Sequence, residues 1–168
     1  MPDTTPDERA FRELCARHAP ALARLTRHYE ALPEARRDLE QEILIALWKA
    51  QSAFRGDCSE RTWVYRVAHN TAASHVARQI RARRDADMAA PEPEPPRAPD
   101  EVTAERVAIR RLETDIRALD VPSRQLVLLA LEGCTTVEIA EVTGLSATNV
   151  TTKLSRLRKA LADTEETR

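Results

Sequence analysis

Between Phe54 and Arg84 the chain sets Trp63, Tyr65, His69 and Asn70 among Arg55, Arg61, Arg66, Arg78, Arg81, Arg83 and Arg84. No Asp or Glu occurs from Arg61 through Arg84. Guanidinium groups grip phosphate oxygens, aromatic rings offer faces for bases, and an amide presents both a donor and an acceptor to a base edge. This acid-free window is therefore the inventory of a surface that holds a polyanion and stacks on its bases. A second such window, from Ser146 to Ala160, carries Lys153, Arg156, Arg158 and Lys159 beside Thr148, Asn149, Thr151, Thr152 and Ser155. Cations, hydroxyls and an amide suit phosphates and major-groove base edges. His18, His28, His69 and His75 with Cys15, Cys58 and Cys134 give no metal-ligand spacing, and no Gly-rich phosphate loop or nucleophile motif occurs. No metal, cofactor or enzymatic activity is expected.

Those windows need a scaffold, and the composition points to helices. The 168 residues are 42% hydrophobic, 32% charged and 4% aromatic, with only 3 Gly and few β-branched runs. A net charge of −1 excludes a uniformly basic coat, so nucleic-acid contact has to come from patches. No apolar run reaches the roughly 20 residues of a membrane helix, and the first residues lack a secretory pattern. Three dispersed cysteines argue against a disulfide framework and for a reducing cytoplasm.

In chain order, Phe11, Leu14 and Cys15 mark a helix that Pro20 should end, with a second helix through Leu22, Leu25 and Tyr29 to Pro33. From Glu34 to Gln51, Leu39, Ile43, Ala46, Leu47 and Ala50 form a core stripe. The opposite face holds Asp38, Gln41, Glu42, Ile45, Trp48 and Lys49, and its apolar pair among polar groups reads as a docking face for a protein. Phe54-Arg55-Gly56-Asp57 breaks the helix, and Asp57 or Ser59 caps the next one, from Glu60 to about Arg81. That helix should bury Trp63 or Val64, Val67, Ala68, Thr71 and Val76 in part, leaving Arg66, His69, Asn70 and the terminal arginines available. Residues 85–101, rich in Pro and acids, read as a flexible linker.

Beyond the linker, Val102 to Leu119 reads as a helix with Ile109, Leu112, Ile116 and Leu119 on one side. Ser123 should cap a helix that Gly133 ends. Thr135 with Glu138 forms a capping box, Gly144 takes a turn, and Ser146 caps a last helix to about Asp163 with Val150, Leu154, Leu157 and Leu161 buried. Short helix, Gly turn and capped helix make a helix-turn-helix pattern. The fold expected is all-α, with an N-terminal helical bundle (8–84) and a C-terminal helix-turn-helix domain (102–163) joined by the linker.

The combination resembles the extracytoplasmic-function (ECF) group of bacterial sigma factors. The resemblance rests on Asp38-Leu39-Glu40-Gln41-Glu42-Ile43, Ala46-Leu47-Trp48-Lys49, Phe54-Arg55-Gly56, the run Thr62 through Ala72, and Glu138-Ile139-Ala140 through Leu161. It implies that residues 38–49 dock on the clamp coiled coil of core RNA polymerase through Asp38, Gln41, Glu42, Ile45 and Trp48. It implies that 54–84 recognise and melt the −10 element, with Phe54, Tyr65 and Asn70 holding one extruded base and Trp63 supporting the wall. Arg55, Arg66, Arg78 and Arg81 would contact the same DNA. The helix-turn-helix would read the −35 element through Thr148, Thr151, Thr152, Ser155, Arg156 and Lys159. Core polymerase, through clamp and flap, promoter DNA and an anti-sigma protein are the partners implied, for a chain that is monomeric when free. Departures from the pattern are Arg36-Arg37 before the docking segment, Ser59-Glu60-Arg61 beside the base pocket, and Thr151-Thr152-Lys153 on the reading helix. A stand-alone helix-turn-helix regulator is the alternative, and it leaves Ile45, Trp48 and the 54–84 window without a task.

Overall fold

The computed structural model describes residues 7–86 and 103–166; most of the linker expected at 85–101, and Val102, lie outside the described residues. Among the described residues the chain forms seven α-helices, one short 3₁₀ turn and no strand. The N-terminal part holds α1 (Glu8–Tyr29), α2 (Pro33–Ala50) with the 3₁₀ turn Gln51–Ala53, and α3 (Glu60–Asp85). The C-terminal part holds α4 (Ala104–Ala118), α5 (Val121–Leu131), α6 (Thr136–Thr143) and α7 (Ala147–Glu166).

Helix α1 departs from expectation, since Pro20 lies inside it. An interior proline costs about 3 kcal/mol. The helix nevertheless buries Leu14, Ala21, Leu22, Leu25 and Tyr29 on both sides of that residue, and each large apolar side chain returns about 1.5–3 kcal/mol. Packing outweighs the local penalty, and two expected helices become one. Ser59 caps α3 by accepting from the Thr62 amide, and α3 runs on to Asp85. At α5 the cap is Asp120, which accepts from the Ser123 amide, so Ser123 is inside the first turn and does not cap it.

The helix-turn-helix forms as its local signals dictate. Thr135 and Glu138 complete the capping box, and Gly144 sits at φ 74°, the left-handed conformation that ends α6. Ser146 accepts from the Asn149 amide at the start of α7.

Two buried clusters hold the molecule together, and both draw on helices from both parts. One joins Leu14, Leu22, Leu25, Leu39, Ile43, Leu47 and Val64 to Ile116, Val127 and Leu128. The other joins Ala21 and Tyr65 to Leu126, Leu129, Ile139, Val142, Val150 and Leu154. Ile109, expected on the buried side of α4, is 52% exposed; only Ile116 of that helix is fully enclosed.

Candidate nucleic-acid interface

The reading face of the helix-turn-helix is open. Thr148, Thr151, Thr152, Ser155, Arg156 and Lys159 are all exposed on α7. Val150 and Leu154, buried on the other side, anchor the helix to Ile139, Val142, Leu126 and Leu129. Thr151 and Thr152 donate their hydroxyl protons back to the carbonyls of Ala147 and Thr148 at 3.1 and 3.0 Å. Their oxygen lone pairs therefore face outward as acceptors. A rigid helix presenting cations and acceptors can lie in a major groove with no rearrangement of its own.

Helix α3 is in a different condition. Trp63 is 8% exposed and stacks against half-buried Phe54, ring centroids 5.0 Å apart. Asn70 is exposed, as are Arg55 and Arg81. Tyr65, expected to share a pocket with Phe54 and Asn70, is 4% exposed and lies in the cluster shared with α5, α6 and α7. Its hydroxyl donates to Glu132 Oε2 at 3.1 Å, and the Arg61 guanidinium covers its ring at 5.5 Å. The three side chains expected to hold one base are thus not gathered in this structure. Residues 63 and 70 are seven apart and share a helix face, whereas residue 65 points about 200° away from 63.

Three basic groups of α3 are also engaged. Arg66 donates to the carbonyl of Glu141 at 3.2 Å, and Arg61 donates to the carbonyl of Glu132. Arg78 bonds Glu42 of α2. His69, expected to be available, is buried, and its Nδ1 lies 3.1 Å from the Tyr29 hydroxyl. Burial lowers the His69 pKa to about 3, so its imidazole is neutral. Burial likewise raises the Tyr65 phenol above its ordinary value, although the hydrogen bond with Arg61 opposes the shift.

The α2 face is mixed. Asp38, Gln41 and Lys49 are exposed and Ile45 is 54% exposed, as a docking face requires. Trp48 is half-buried because Phe11 of α1 meets it edge-on at 5.0 Å. Glu42 is committed inward as well. His75 lies between two carboxylates, Nδ1 3.0 Å from Glu42 Oε1 and Nε2 2.9 Å from Glu30 Oε1. Gln79 adds a bond to the same Glu30 oxygen at 2.7 Å. Burial works against the Glu42 carboxylate, but hydrogen bonds from His75 and Arg78 outweigh it and hold the pKa below the usual value. These groups tie α1, α2 and α3 into one bundle. Sequence reasoning missed Glu30 and His75, and also Arg24 and Glu132, because their partners lie tens of residues away and leave no periodic trace.

Known proteins fall in line with this arrangement. Residues 14–82 match the family model for Sigma-70 region 2, and residues 109–161 match Sigma-70, region 4. The chain is 30% identical over 167 residues to the RNA polymerase sigma factor CnrH of Cupriavidus metallidurans, covering 93% of this chain and 86% of that one. It is 35% identical over 88 residues to the ECF RNA polymerase sigma-E factor of Escherichia coli (strain K12), covering 52% and 46%. A solved structure of CnrH in complex with the cytosolic domain of CnrY matches with TM-score 0.69 and 26% identity, covering 98% of this chain and 92% of that one.

Proposed function

This chain belongs to the ECF group of RNA polymerase sigma factors, and from that premise we propose how its parts divide the work. As a sigma factor it binds core RNA polymerase and directs promoter-specific transcription initiation. The residue assignments that follow are the finer reading.

Residues 102–163 read the −35 element, with Thr148, Thr151, Thr152, Ser155, Arg156 and Lys159 of α7 in the major groove. The observation that carries this is the exposure of all six on a helix anchored from behind. Residues 8–84 dock on polymerase and open the −10 element. Asp38, Gln41 and Ile45 make the first contact with the clamp, joined by Glu42 and Trp48. Phe54 and Asn70 offer a ring face and a base edge, Trp63 backs Phe54 as the supporting wall, and Tyr65 joins them once freed from Glu132. Base stacking of that kind is worth about 1–3 kcal/mol per base. Arg55, Arg66, Arg78 and Arg81 hold the adjacent phosphates, and residues 85–101 join the two domains. The protein acts in the cytoplasm, as a monomer when free, without catalysis or cofactor of its own. An anti-sigma protein is a further partner, and the complex of the similar CnrH with the cytosolic domain of CnrY supports such an association. No described helix is long and apolar enough to cross a membrane.

Run-off transcription with core polymerase on genomic promoter fragments tests this reading. Discrete transcripts should depend on the added protein, and Asn70→Ala should reduce them while leaving co-purification with polymerase intact. Absence of any directed transcript would sink the reading, and equal loss of both properties would remove Asn70 from the base-holding role.

A further inference from the structure

Asp38, Gln41, Glu42 and Ile45 follow one another on α2 at steps of three, one and three residues, so they form one continuous stripe. Asp38, Gln41 and Ile45 are exposed, whereas the Glu42 carboxylate is held from behind. Its Oε1 lies 3.0 Å from Nδ1 of His75, and its Oε2 accepts from Arg78. The Glu42 side chain is nevertheless 37% exposed, and each oxygen keeps a second lone pair for an outside donor. The carboxylate is therefore fixed in one direction without being sealed off. The support continues inward. His75 is 7% exposed, and its Nε2 lies 2.9 Å from Oε1 of Glu30, also 7% exposed. Arg36 of α2 donates to the backbone carbonyls of Glu30 and Ala31 at 2.8 and 2.7 Å, which fixes that turn. Glu30 stands at the C-terminal cap of α1, where the helix dipole disfavours an anion. Its carboxylate does nothing for its own helix, and what it contributes is a grip on His75. An ionised carboxylate only accepts hydrogen bonds, so meeting both Glu30 and Glu42 calls for a proton on each ring nitrogen.

We propose that His75 is a positioning residue for polymerase docking: braced by Glu30, it holds the Glu42 carboxylate in the orientation that the α2 stripe presents to core polymerase. The inference rests on the reading of α2 as the docking helix. His75 is buried and does not itself reach a partner, so its effect on docking passes through Glu42. A side chain already set in its bound orientation gives up less rotamer freedom on association than a free one. The bracing groups come from all three helices of the N-terminal part: Glu30 from α1, Arg36 from α2, and His75 and Arg78 from α3.

The test uses the full-length protein as wild type, His75→Ala, His75→Asn, His75→Gln, Glu42→Ala, the double variant of His75→Ala with Glu42→Ala, and Ile45→Ser. Affinity for core RNA polymerase is measured by fluorescence titration, beside a thermal melt of each free protein. His75→Ala and Glu42→Ala should each bind polymerase about tenfold more weakly, the order expected for losing a hydrogen bond to a charged group. The double variant should bind no more weakly than Glu42→Ala, because the side chain that His75 holds is already gone. In His75→Asn the amide nitrogen takes the place of Nδ1 and should restore the affinity to within about threefold of wild type. In His75→Gln the amide nitrogen takes the place of Nε2, faces Glu30 and should leave the loss in place. Wild-type affinity in folded His75→Ala would overturn the positioning role. So would additive losses in the double variant, or losses that follow the melting temperature alone with both amide variants alike. Unchanged affinity in Ile45→Ser would remove the docking reading and the positioning role together, whereas a loss there with none at His75 would remove the positioning role alone. If His75→Ala does not fold, the two amide variants decide.

Discussion

Helices α3 and α7 carry the same kinds of side chain and stand in opposite states. Both have acid-free windows with several cations, and both are held from behind by buried apolar residues. On α7 the candidate side chains project freely. On α3, Arg61, Tyr65 and Arg66 are bonded to the C-terminal part, Arg78 is bonded to α2, and Phe54 lies on Trp63. The difference teaches that residue types define what a surface can bind, whereas intramolecular partners define when it is free to do so. Reading a duplex needs only a rigid helix of the right face. The aromatic groups of α3 would be a liability if exposed, and the burial of Tyr65 in this structure removes that exposure.

The comparison can be broken most severely from its shared support. Ile139 is 1% exposed in the cluster that both anchors the helix-turn-helix and covers Tyr65. Ile139→Ala should cost about 2–5 kcal/mol, read as a lowered urea midpoint, and should impair duplex reading while uncovering α3. A loss below about 0.5 kcal/mol would mean that this cluster does not hold the two surfaces in their contrasting states.

A finer test sets one arginine against another. Arg156→Ala on α7 should weaken duplex binding by about 1–3 kcal/mol, the range for a base-contacting arginine. Arg66→Ala on α3 should change duplex binding of the free protein by less than about 0.5 kcal/mol, because Arg66 is already engaged. Filter or polarisation titrations on a promoter duplex would measure both, and equal losses would erase the distinction drawn between the helices.

The smallest effect per step is the pH response of the seal. His69 is neutral and buried, with its pKa lowered by desolvation from 6.5 to about 3 and only partly offset by the Glu132 carboxylate; its ring neighbours are Tyr29 and Tyr65. The unfolded chain takes up a proton near pH 6.5 and the folded chain does not. Stability is therefore complete above that pH and falls as pH drops toward 3, by about 1.4 kcal/mol per unit. His28, also lowered by burial, acts in the same direction. Chemical melts at pH 7 and pH 5 should show the loss, and His69→Gln should flatten it. A wild type equally stable at both would contradict the neutral buried imidazole.

Local features were readable in advance where the physics is local. The capping box at Thr135 and Glu138, the left-handed Gly144 and the Ser146 cap all close within three or four residues, so spacing alone exposes them. The α2 stripe of Leu39, Ile43 and Leu47 is buried as its period requires. Pro20 signals a helix break only by its local penalty, and the apolar stripe running across it carries α1 through. The period of α2 puts Trp48 on an open face, and nothing in its own helix announces Phe11. The same period puts Glu42 there, because His75, its partner, is 33 residues away and leaves no local trace.

The sequence by itself determined the helices, their caps, the helix-turn-helix and the chemistry that two helices could offer to DNA. Each of these follows from hydrogen bonds and side-chain periods spanning no more than a few residues. Only the tertiary structure decided which of that chemistry is available. Tyr65 meets Glu132 across 67 residues, and Arg24 meets it across 108. Contacts of that separation depend on how buried faces close around a common core, which no local pattern encodes.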